Sequence, residues 1–111
     1  MSFVRACGTA DLQSGSALAV EVDGVDLAVV RDQDDWYAIY DECSHAAIPL
    51  SEGDVEACEI ECWLHGSRFD LISGKPTGLP ATVPVPVYPL RVDGDDVLVD
   101  VSQSTNETTP S

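Results

Sequence analysis

Two short segments of the chain, CSH at residues 43–45 and CWLH at residues 62–65, each contain one cysteine and one histidine. The whole chain has only four cysteines and two histidines, so both histidines and half of the cysteines fall in these segments. Sixteen residues separate His45 from Cys62. Scattered core residues would rarely pair in this way. Because each pair follows a β-like run, the pattern predicts two loops that meet at one tip of a β-rich domain.

The rest of the chain is patterned as β structure. Short runs rich in Val and Leu are separated by turn signals about every 8 to 12 residues, which predicts an all-β sandwich or partly open barrel. Asp23-Gly24 suits a type I′ hairpin, because both central positions of that turn need positive φ. Polar turns at 32–35 and 93–96 predict two further hairpins. The alternating segment EACEIEC at 56–62 predicts a single strand.

The length of 111 residues fits one domain. We expect this domain to span residues 1–101, with the Cys/His loops within about 42–82. Residues 102–111 contain almost nothing apolar and predict a disordered tail. The segment around Pro84, Pro86 and Pro89 should form an edge strand or a loop, because each proline removes a donor from the sheet ladder.

The formal net charge of −15 excludes some partners and favours others. Phosphates repel such a chain, so we expect no nucleic acid and no anionic membrane surface as partner. A partner with a basic patch would be steered toward it, although the charge could equally serve only to solvate the surface. The same two readings apply to an acidic run near the second Cys/His pair, composed of Glu52, Asp54, Glu56, Glu59 and Glu61.

The sequence predicts a cytoplasmic protein. No apolar run approaches the roughly 20 residues of a transmembrane helix, and the N-terminal residues lack the apolar core of a signal peptide. Thiols stay reduced in the cytoplasm, so cysteines there are more often metal ligands or core residues than disulfides. We therefore expect Cys7, in the first strand, and Cys58, in the strand that leads to Cys62, to be core residues.

Two cysteines and two histidines suit two kinds of metal centre. One is a tetrahedral zinc ion with two thiolate and two imidazole ligands. The other is a [2Fe–2S] cluster with cysteines on one iron and histidines on the other. Small zinc fingers usually group their cysteines together and their histidines together. Here each segment mixes one of each, so that each loop could give its cysteine to one iron and its histidine to the other.

With these segments the chain resembles the Rieske-type ferredoxins. Their motif is Cys-x-His, a spacer of similar length, and Cys-x-x-His followed by Gly, which is Gly66 here. The resemblance extends over residues 1 to about 101. It includes the proline-rich stretch GLPATVPVPVYPL, where the family covers its cluster with a proline loop and where Pro80 lies. It implies a Rieske-type sandwich of antiparallel sheets with a small cluster-binding subdomain.

The resemblance implies one [2Fe–2S] cluster per chain, with Cys43 and Cys62 on the inner iron and His45 and His65 on the outer iron. A cluster with two thiolate and two imidazole ligands is neutral when oxidised, so it accepts an electron more easily than a four-thiolate cluster. The potentials of such centres lie at about −150 to +300 mV.

The chain departs from high-potential members of the family in two respects. Those members join the loops by a disulfide between positions that are Ile48 and Leu64 here, so that bridge is absent. They also place a tyrosine hydroxyl near a ligand sulfur at the position of Phe69, which has no hydroxyl. Ser67 keeps its place and could donate to a sulfide. The loss of one hydrogen-bond donor to the cluster, together with the acidic surface, predicts a reduction potential at the low end of the Rieske range.

The resemblance also implies the function of an electron carrier. Both histidines are committed to the cluster, and no Gly-rich dinucleotide fingerprint is present, so we expect no enzyme activity in the chain itself. The expected partners are an NAD(P)H-linked ferredoxin reductase and an oxygenase such as a ring-hydroxylating dioxygenase. Trp63, with Ile48 and Pro49, either shields the cluster or forms an apolar docking face. The alternatives are an accessory ferredoxin of iron–sulfur cluster assembly and a zinc-stabilised interaction module.

Overall fold

The computed structural model describes residues 3–42, 49–62, 68–77, 84–102 and 104. The described part of the chain contains β-strands and two single-turn 3-10 helices, and no α-helix. The 3-10 helices span Thr9–Asp11 and Leu50–Glu52. The strands are β1 (Val4–Gly8), β2 (Ser16–Val22), β3 (Val25–Asp32), β4 (Asp35–Tyr40), β5 (Val55–Glu56), β6 (Glu59–Glu61), β7 (Arg68–Asp70), β8 (Val87–Tyr88), β9 (Leu90–Asp93) and β10 (Asp96–Val99).

A four-stranded antiparallel sheet with the order β2-β3-β4-β8 forms the centre of the fold. A three-stranded sheet with the order β1-β10-β9 packs on one of its faces, and the small sheet β5-β6-β7 packs on the other. All the strand pairs within these sheets are antiparallel. The prediction of an all-β sandwich with a small subdomain is therefore confirmed.

The sequence of β3 explains why it lies in the middle of these layers. Successive side chains of a strand point to opposite faces, and all four residues of Leu27–Val30 are fully buried. Leu27 and Val29 pack toward the sheet that contains β10, whereas Ala28 and Val30 pack toward the small sheet. A continuous apolar run of this kind is typical of a strand that is covered on both faces.

The predicted hairpins are present. The Asp23-Gly24 turn has φ values of 50° and 81°, as a type I′ turn requires, and it sets Val22 opposite Val25. The hairpins at 32–35 and 93–96 join β3 to β4 and β9 to β10. β8 is an edge strand that pairs with β4, and Pro84, Pro86 and Pro89 lie outside the strands. The edge-strand prediction for this segment is also confirmed.

The prediction of one strand over residues 56–62 is wrong. Ala57 and Cys58 form a two-residue turn between β5 and β6, with φ values of 53° and 62°. Neither residue type favours positive φ, so sequence pattern alone gives no turn signal here. Tertiary hydrogen bonds hold the turn, and they are described below with the site.

No helix among the described residues is long and apolar enough to cross a membrane. Most of the predicted tail, residues 103 and 105–111, lies outside the described residues. The domain limits proposed from the sequence therefore remain a prediction.

Candidate metal centre

Of the four predicted ligands, Cys62 lies in the described part of the chain. The other three, Cys43, His45 and His65, lie outside the described residues. Among the other residues expected beside the cluster or in the docking face, Pro49 and Phe69 are described. The remaining predictions fall outside the described residues and concern Ile48, Trp63, Leu64, Gly66, Ser67 and Pro80.

Cys62 follows β6 directly and is fully buried, with its thiol outside any disulfide. It belongs to a core cluster with Leu50, Phe69, Leu71 and Val85, among other residues. An apolar shell of this kind excludes water from a metal-bound sulfur and so affects the potential of the centre. A reduced, buried thiol at the edge of a small subdomain fits a soft thiolate ligand.

The segment before the first Cys/His pair is tied to the 3-10 helix Leu50–Glu52. The Ser51 backbone N–H donates to Asp41 Oδ1 at 2.7 Å, and the Ser51 hydroxyl donates to Asp41 Oδ2 at 2.7 Å. Asp41 precedes Cys43 by two residues. The chain is therefore held on the small subdomain immediately before the first predicted ligand.

The segment before the second pair is held by the same short helix. Gly53 follows the helix, and its backbone approaches the Glu61 carbonyl so closely that a Cβ at Gly53 would overlap the carbonyl oxygen and lie 2.8 Å from the carbonyl carbon. The Glu61 N–H donates to the Asp54 carbonyl at 2.8 Å. Because Glu61 directly precedes Cys62, residues 50–54 fix the approach to both Cys/His segments.

The proline-rich segment is anchored at the same end of the molecule. The Thr77 N–H donates to the Arg68 carbonyl at 2.7 Å, and the Thr77 hydroxyl donates to it at 3.3 Å. The Val85 N–H donates to the Gly74 carbonyl at 2.9 Å. Arg68 follows the second Cys/His segment, and Thr77 precedes the segment that contains Pro80. The ends of these two segments therefore lie side by side.

A latch of side-chain and backbone contacts, formed by Asp32, Tyr37 and Cys58, joins the β5–β6 turn to the central sheet. The Cys58 N–H donates to Asp32 Oδ2 at 2.7 Å, and the Cys58 thiol donates to the Tyr37 hydroxyl at 3.3 Å. The Cys58 carbonyl accepts from the Leu71 N–H at 3.0 Å. The contact with the Cys58 sulfur raises the pKa of Tyr37, and burial raises it further. These contacts offset the strain of positive φ at the turn.

The two cysteines that the sequence places in the core, Cys7 and Cys58, differ in burial and in local structure. Cys7 is buried against Leu12, Val29 and Val97, as predicted. Cys58 packs against the core but is only half-buried, and it lies in a turn rather than a strand. The strand prediction for Cys58 is wrong because the latch, and not the alternation of the sequence, decides the local backbone.

One arginine, Arg68, forms ion pairs with two members of the acidic run and leaves the other three unpaired with it. Arg68 Nε lies 2.9 Å from Glu59 Oε1, and Arg68 Nη1 lies 3.2 Å from Glu61 Oε2. Both carboxylates are partly buried, so the reading of the whole run as a solvated face is wrong for these two residues. The exposed members that could steer a partner are Glu52, Asp54 and Glu56.

The donor set fits the expected group. Two thiols and two imidazoles are the ligands of a Rieske centre, and the one described predicted ligand, Cys62, is buried and outside any disulfide, as such a ligand needs to be. Within the described ranges, no three His, Cys, Asp or Glu side chains lie together as a second candidate metal site.

Comparisons with known proteins agree with this reading. The family model of the Rieske [2Fe-2S] domain matches residues 2–89. The 3-phenylpropionate/cinnamic acid dioxygenase ferredoxin subunit of Escherichia coli (strain K12) is 38% identical over 105 residues, which cover 94% of this chain and 98% of that protein.

Solved structures show the same relationship. The ferredoxin of carbazole 1,9a-dioxygenase from Nocardioides aromaticivorans IC177 superposes with a TM-score of 0.85 at 44% identity, covering 89% of this chain and 97% of that one. A ferredoxin chain from a complex of reduced oxygenase and oxidized ferredoxin in carbazole 1,9a-dioxygenase gives a TM-score of 0.83 at 33% identity, covering 97% of both chains. Sequence, fold and donor chemistry therefore agree that this chain belongs to the Rieske [2Fe-2S] family and is a ferredoxin, a carrier of electrons on a [2Fe–2S] cluster rather than an enzyme.

Proposed function

We propose that this ferredoxin carries single electrons from an NAD(P)H-linked reductase to a terminal oxygenase of the ring-hydroxylating dioxygenase class, with the cluster held by Cys43, His45, Cys62 and His65. Two observations support the choice of acceptor. The relative from Escherichia coli is named as a ferredoxin subunit of a dioxygenase. A structural neighbour at 33% identity is described in complex with an oxygenase.

The main support for the assignment of the four cluster ligands is that residues 50–54 anchor the chain before both Cys/His segments. Asp41 is bound by Ser51 and stands two residues before Cys43, and an extended chain spans at most about 7 Å over two residues. Glu61 is in contact with Gly53 and is bonded directly to Cys62. The chain is thus anchored to one short helix directly before each motif, which supports a shared cluster.

The surroundings of Cys62 support a potential at the low end of the Rieske range. The cluster supplies one site that takes up and releases a single electron. Phe69 is fully buried in the same core cluster as Cys62 and has no hydroxyl to donate to a ligand sulfur. The net charge of −15 also disfavours an added electron.

We place the protein in the cytoplasm. The cysteines of the described segments, Cys7, Cys58 and Cys62, are all free thiols. Free thiols are typical of a reducing compartment.

Cysteine variants test the ligand assignment. We expect Cys62→Ser to lower the iron content and the visible absorbance of the purified protein, because a serine hydroxyl replaces a thiolate ligand. Cys58→Ser is the matched control, since it changes the same atom four residues earlier and keeps a donor for Tyr37. Loss of iron from Cys58→Ser, with full retention by Cys62→Ser, would contradict the assignment.

Single-turnover transfer tests the proposed acceptor. The reduced ferredoxin, free of reductase, is mixed with an oxidised ring-hydroxylating oxygenase, and the oxidation of the ferredoxin is followed by absorbance. With O2 and an aromatic substrate present, we expect each reduced ferredoxin to deliver one electron, so that two ferredoxins supply the two electrons consumed with each O2 and each molecule of dihydroxylated product. A ferredoxin that stays reduced, beside a cognate ferredoxin that transfers its electron, would count against an oxygenase as the acceptor.

A further inference from the structure

Arg68 stands at the base of the segment that contains the second Cys/His pair. β6 and β7 are antiparallel, and their register sets Glu61 directly opposite Arg68. Residues 62–67 connect the two strands, and Cys62 is the first of them. The Cα atoms of two directly opposed residues lie about 4.5–5.5 Å apart in such a pair. Arg68 is therefore the cross-strand neighbour of the residue that is bonded to Cys62.

Two ion pairs hold the Arg68 side chain on the outer face of the small sheet. Its Nε atom lies 2.9 Å from Glu59 Oε1, and its Nη1 atom lies 3.2 Å from Glu61 Oε2. Its Nη2 group donates a long hydrogen bond of 3.5 Å to the Glu56 carbonyl. Glu59 and Glu61 share one face because side chains alternate along a strand, and Arg68 shares it because it is opposed to Glu61. The guanidinium is thus fixed against two carboxylates.

The inner face of the same sheet carries the predicted ligand. Cys62 is fully buried, and it lies in the same core cluster as Phe69. The charged side chains on the outer face are themselves partly buried, with exposed fractions of 32% for Arg68, 27% for Glu59 and 32% for Glu61. Partly buried charges are screened much less than exposed ones. Since only one layer of backbone separates the two faces, the field of these charges reaches the Cys62 thiol.

The balance of the three charges decides the sign of their effect. The two carboxylates repel an electron that is added to a centre on Cys62, whereas the guanidinium attracts it. With Arg68 in place, one of the two negative charges is compensated, and without Arg68 neither is. An arginine does not lose its charge in proteins, and the Arg68 backbone is held because its carbonyl accepts from the Thr77 N–H at 2.7 Å. Arg68 therefore favours the reduced state.

We infer that Arg68 raises the reduction potential of the cluster by holding a positive charge against Glu59 and Glu61, beside the ligand Cys62. The inference deepens the proposed function and rests on its assignment of Cys62 as a ligand, but it does not depend on the acceptor. Arg68 is the element of this acidic surface that opposes the low potential, and the carboxylates are the elements that cause it. A role of the ion pairs in folding alone would give a different order of potentials among charge variants.

Redox titration of cluster-loaded variants tests the inference. We expect Arg68→Gln to shift the one-electron equilibrium with a reference carrier about threefold to tenfold toward the oxidised protein. That shift equals a fall of about 30–60 mV, because a tenfold change in a one-electron couple corresponds to about 59 mV. The triple variant Glu59→Gln/Glu61→Gln/Arg68→Gln has lost both ion pairs and all three charges. We expect its potential to equal or exceed that of the wild type.

A matched control separates local charge from net charge. Arg5→Gln also removes one positive charge and one ion pair, since Arg5 Nε lies 2.8 Å from Asp96 Oδ1. This pair joins β1 to β10, in the sheet on the far side of the central sheet. We expect Arg5→Gln to shift the equilibrium less than twofold. The inference is overturned if Arg68→Gln leaves the potential unchanged, if Arg5→Gln lowers it equally, or if the triple variant falls as far as Arg68→Gln.

A second variant decides the matter if Arg68→Gln loses its cluster. Glu61→Gln keeps the ion pair between Arg68 and Glu59 and removes one negative charge. We expect it to shift the equilibrium about threefold to tenfold toward the reduced protein, and an unchanged or lower potential would overturn the inference.

The two proposals fail in different ways. A reduced ferredoxin that does not transfer its electron to an oxygenase would contradict the proposed acceptor and leave the order of potentials intact. Equal potentials in the wild type, Arg68→Gln and Glu61→Gln would contradict the role of Arg68 and leave the carrier function intact. A wild-type protein that binds no iron would overturn both the ligand assignment and this inference.

Discussion

Gly53→Ala should destabilise the protein by removing the contact that joins the 3-10 helix Leu50–Glu52 to the strand before Cys62. Gly53 has an ordinary backbone φ of −88°, so the loss of stability comes from steric overlap and not from an unfavourable backbone conformation. The new Cβ would overlap the Glu61 carbonyl oxygen. The obstacle is backbone rather than a mobile side chain, so the helix and β6 must separate.

The magnitude follows from two contributions. Overpacking in a filled site costs about 1–3 kcal/mol. Separation of the strand also weakens the hydrogen bond from the Glu61 N–H to the Asp54 carbonyl, which contributes about 0.5–1.5 kcal/mol. We therefore expect a loss of about 2–4 kcal/mol in the free energy of unfolding. For a domain near this size, the melting temperature should fall by roughly 10–20 °C.

The assay is thermal unfolding of the cluster-loaded protein, followed by circular dichroism and by bleaching of the visible absorbance. Gly94→Ala is the control, because Gly94 has a φ of 63° and nothing within 4 Å of an added Cβ. It should cost about 1–2 kcal/mol from backbone strain alone and should leave the iron content unchanged. The reasoning is refuted if Gly53→Ala melts no lower than Gly94→Ala and binds its cluster equally well.

Three further predictions concern single residues of the described core and turn. Ala57→Gly should stabilise the protein by up to about 1 kcal/mol, measured by denaturant unfolding, because Ala57 has a φ of 53°; a loss of stability would show that the turn is not strained. Burial raises the pKa of the Cys7 thiol above the ordinary thiol value of 9.0, so its contribution to stability is present below about pH 9 and is lost as the pH rises further. Cys7→Ala should flatten that part of the pH profile of unfolding, and an unchanged slope would contradict the assignment. Phe69→Tyr should raise the reduction potential, measured by voltammetry, because a hydroxyl in the core cluster of Cys62 could donate to a ligand sulfur; an unchanged or lower potential would count against this argument.

The strands and most turns could be predicted because their signals are local. The apolar run of β3 indicates burial on both faces, and Asp23-Gly24 specifies both the turn and the register of its hairpin. That register also sets Glu21 opposite Asp26, so this pair of like charges follows from the same dipeptide.

The remaining features depend on contacts between distant parts of the chain. The Ala57-Cys58 turn has no glycine or asparagine and exists because Asp32 and Tyr37 hold Cys58 from the central sheet. The role of Gly53 follows from its approach to the Glu61 carbonyl, which no local pattern encodes. Composition likewise could not show that Arg68 neutralises part of the acidic run.

The four-residue Cys/His motif was the strongest signal in the sequence. It predicted the family and the cofactor because two mixed pairs at a defined spacing are rarely met by chance. The structure adds the means by which residues 50–54 hold the approaches to both pairs.

The most direct test of the account is a visible spectrum of the freshly purified protein, combined with low-temperature EPR after reduction by dithionite. The account predicts a brown protein whose reduced signal has an average g value well below that of a four-thiolate ferredoxin, because two imidazoles replace two thiolates. A colourless protein that contains zinc, or a reduced signal typical of four thiolates, would contradict a Rieske cluster held by Cys43, His45, Cys62 and His65.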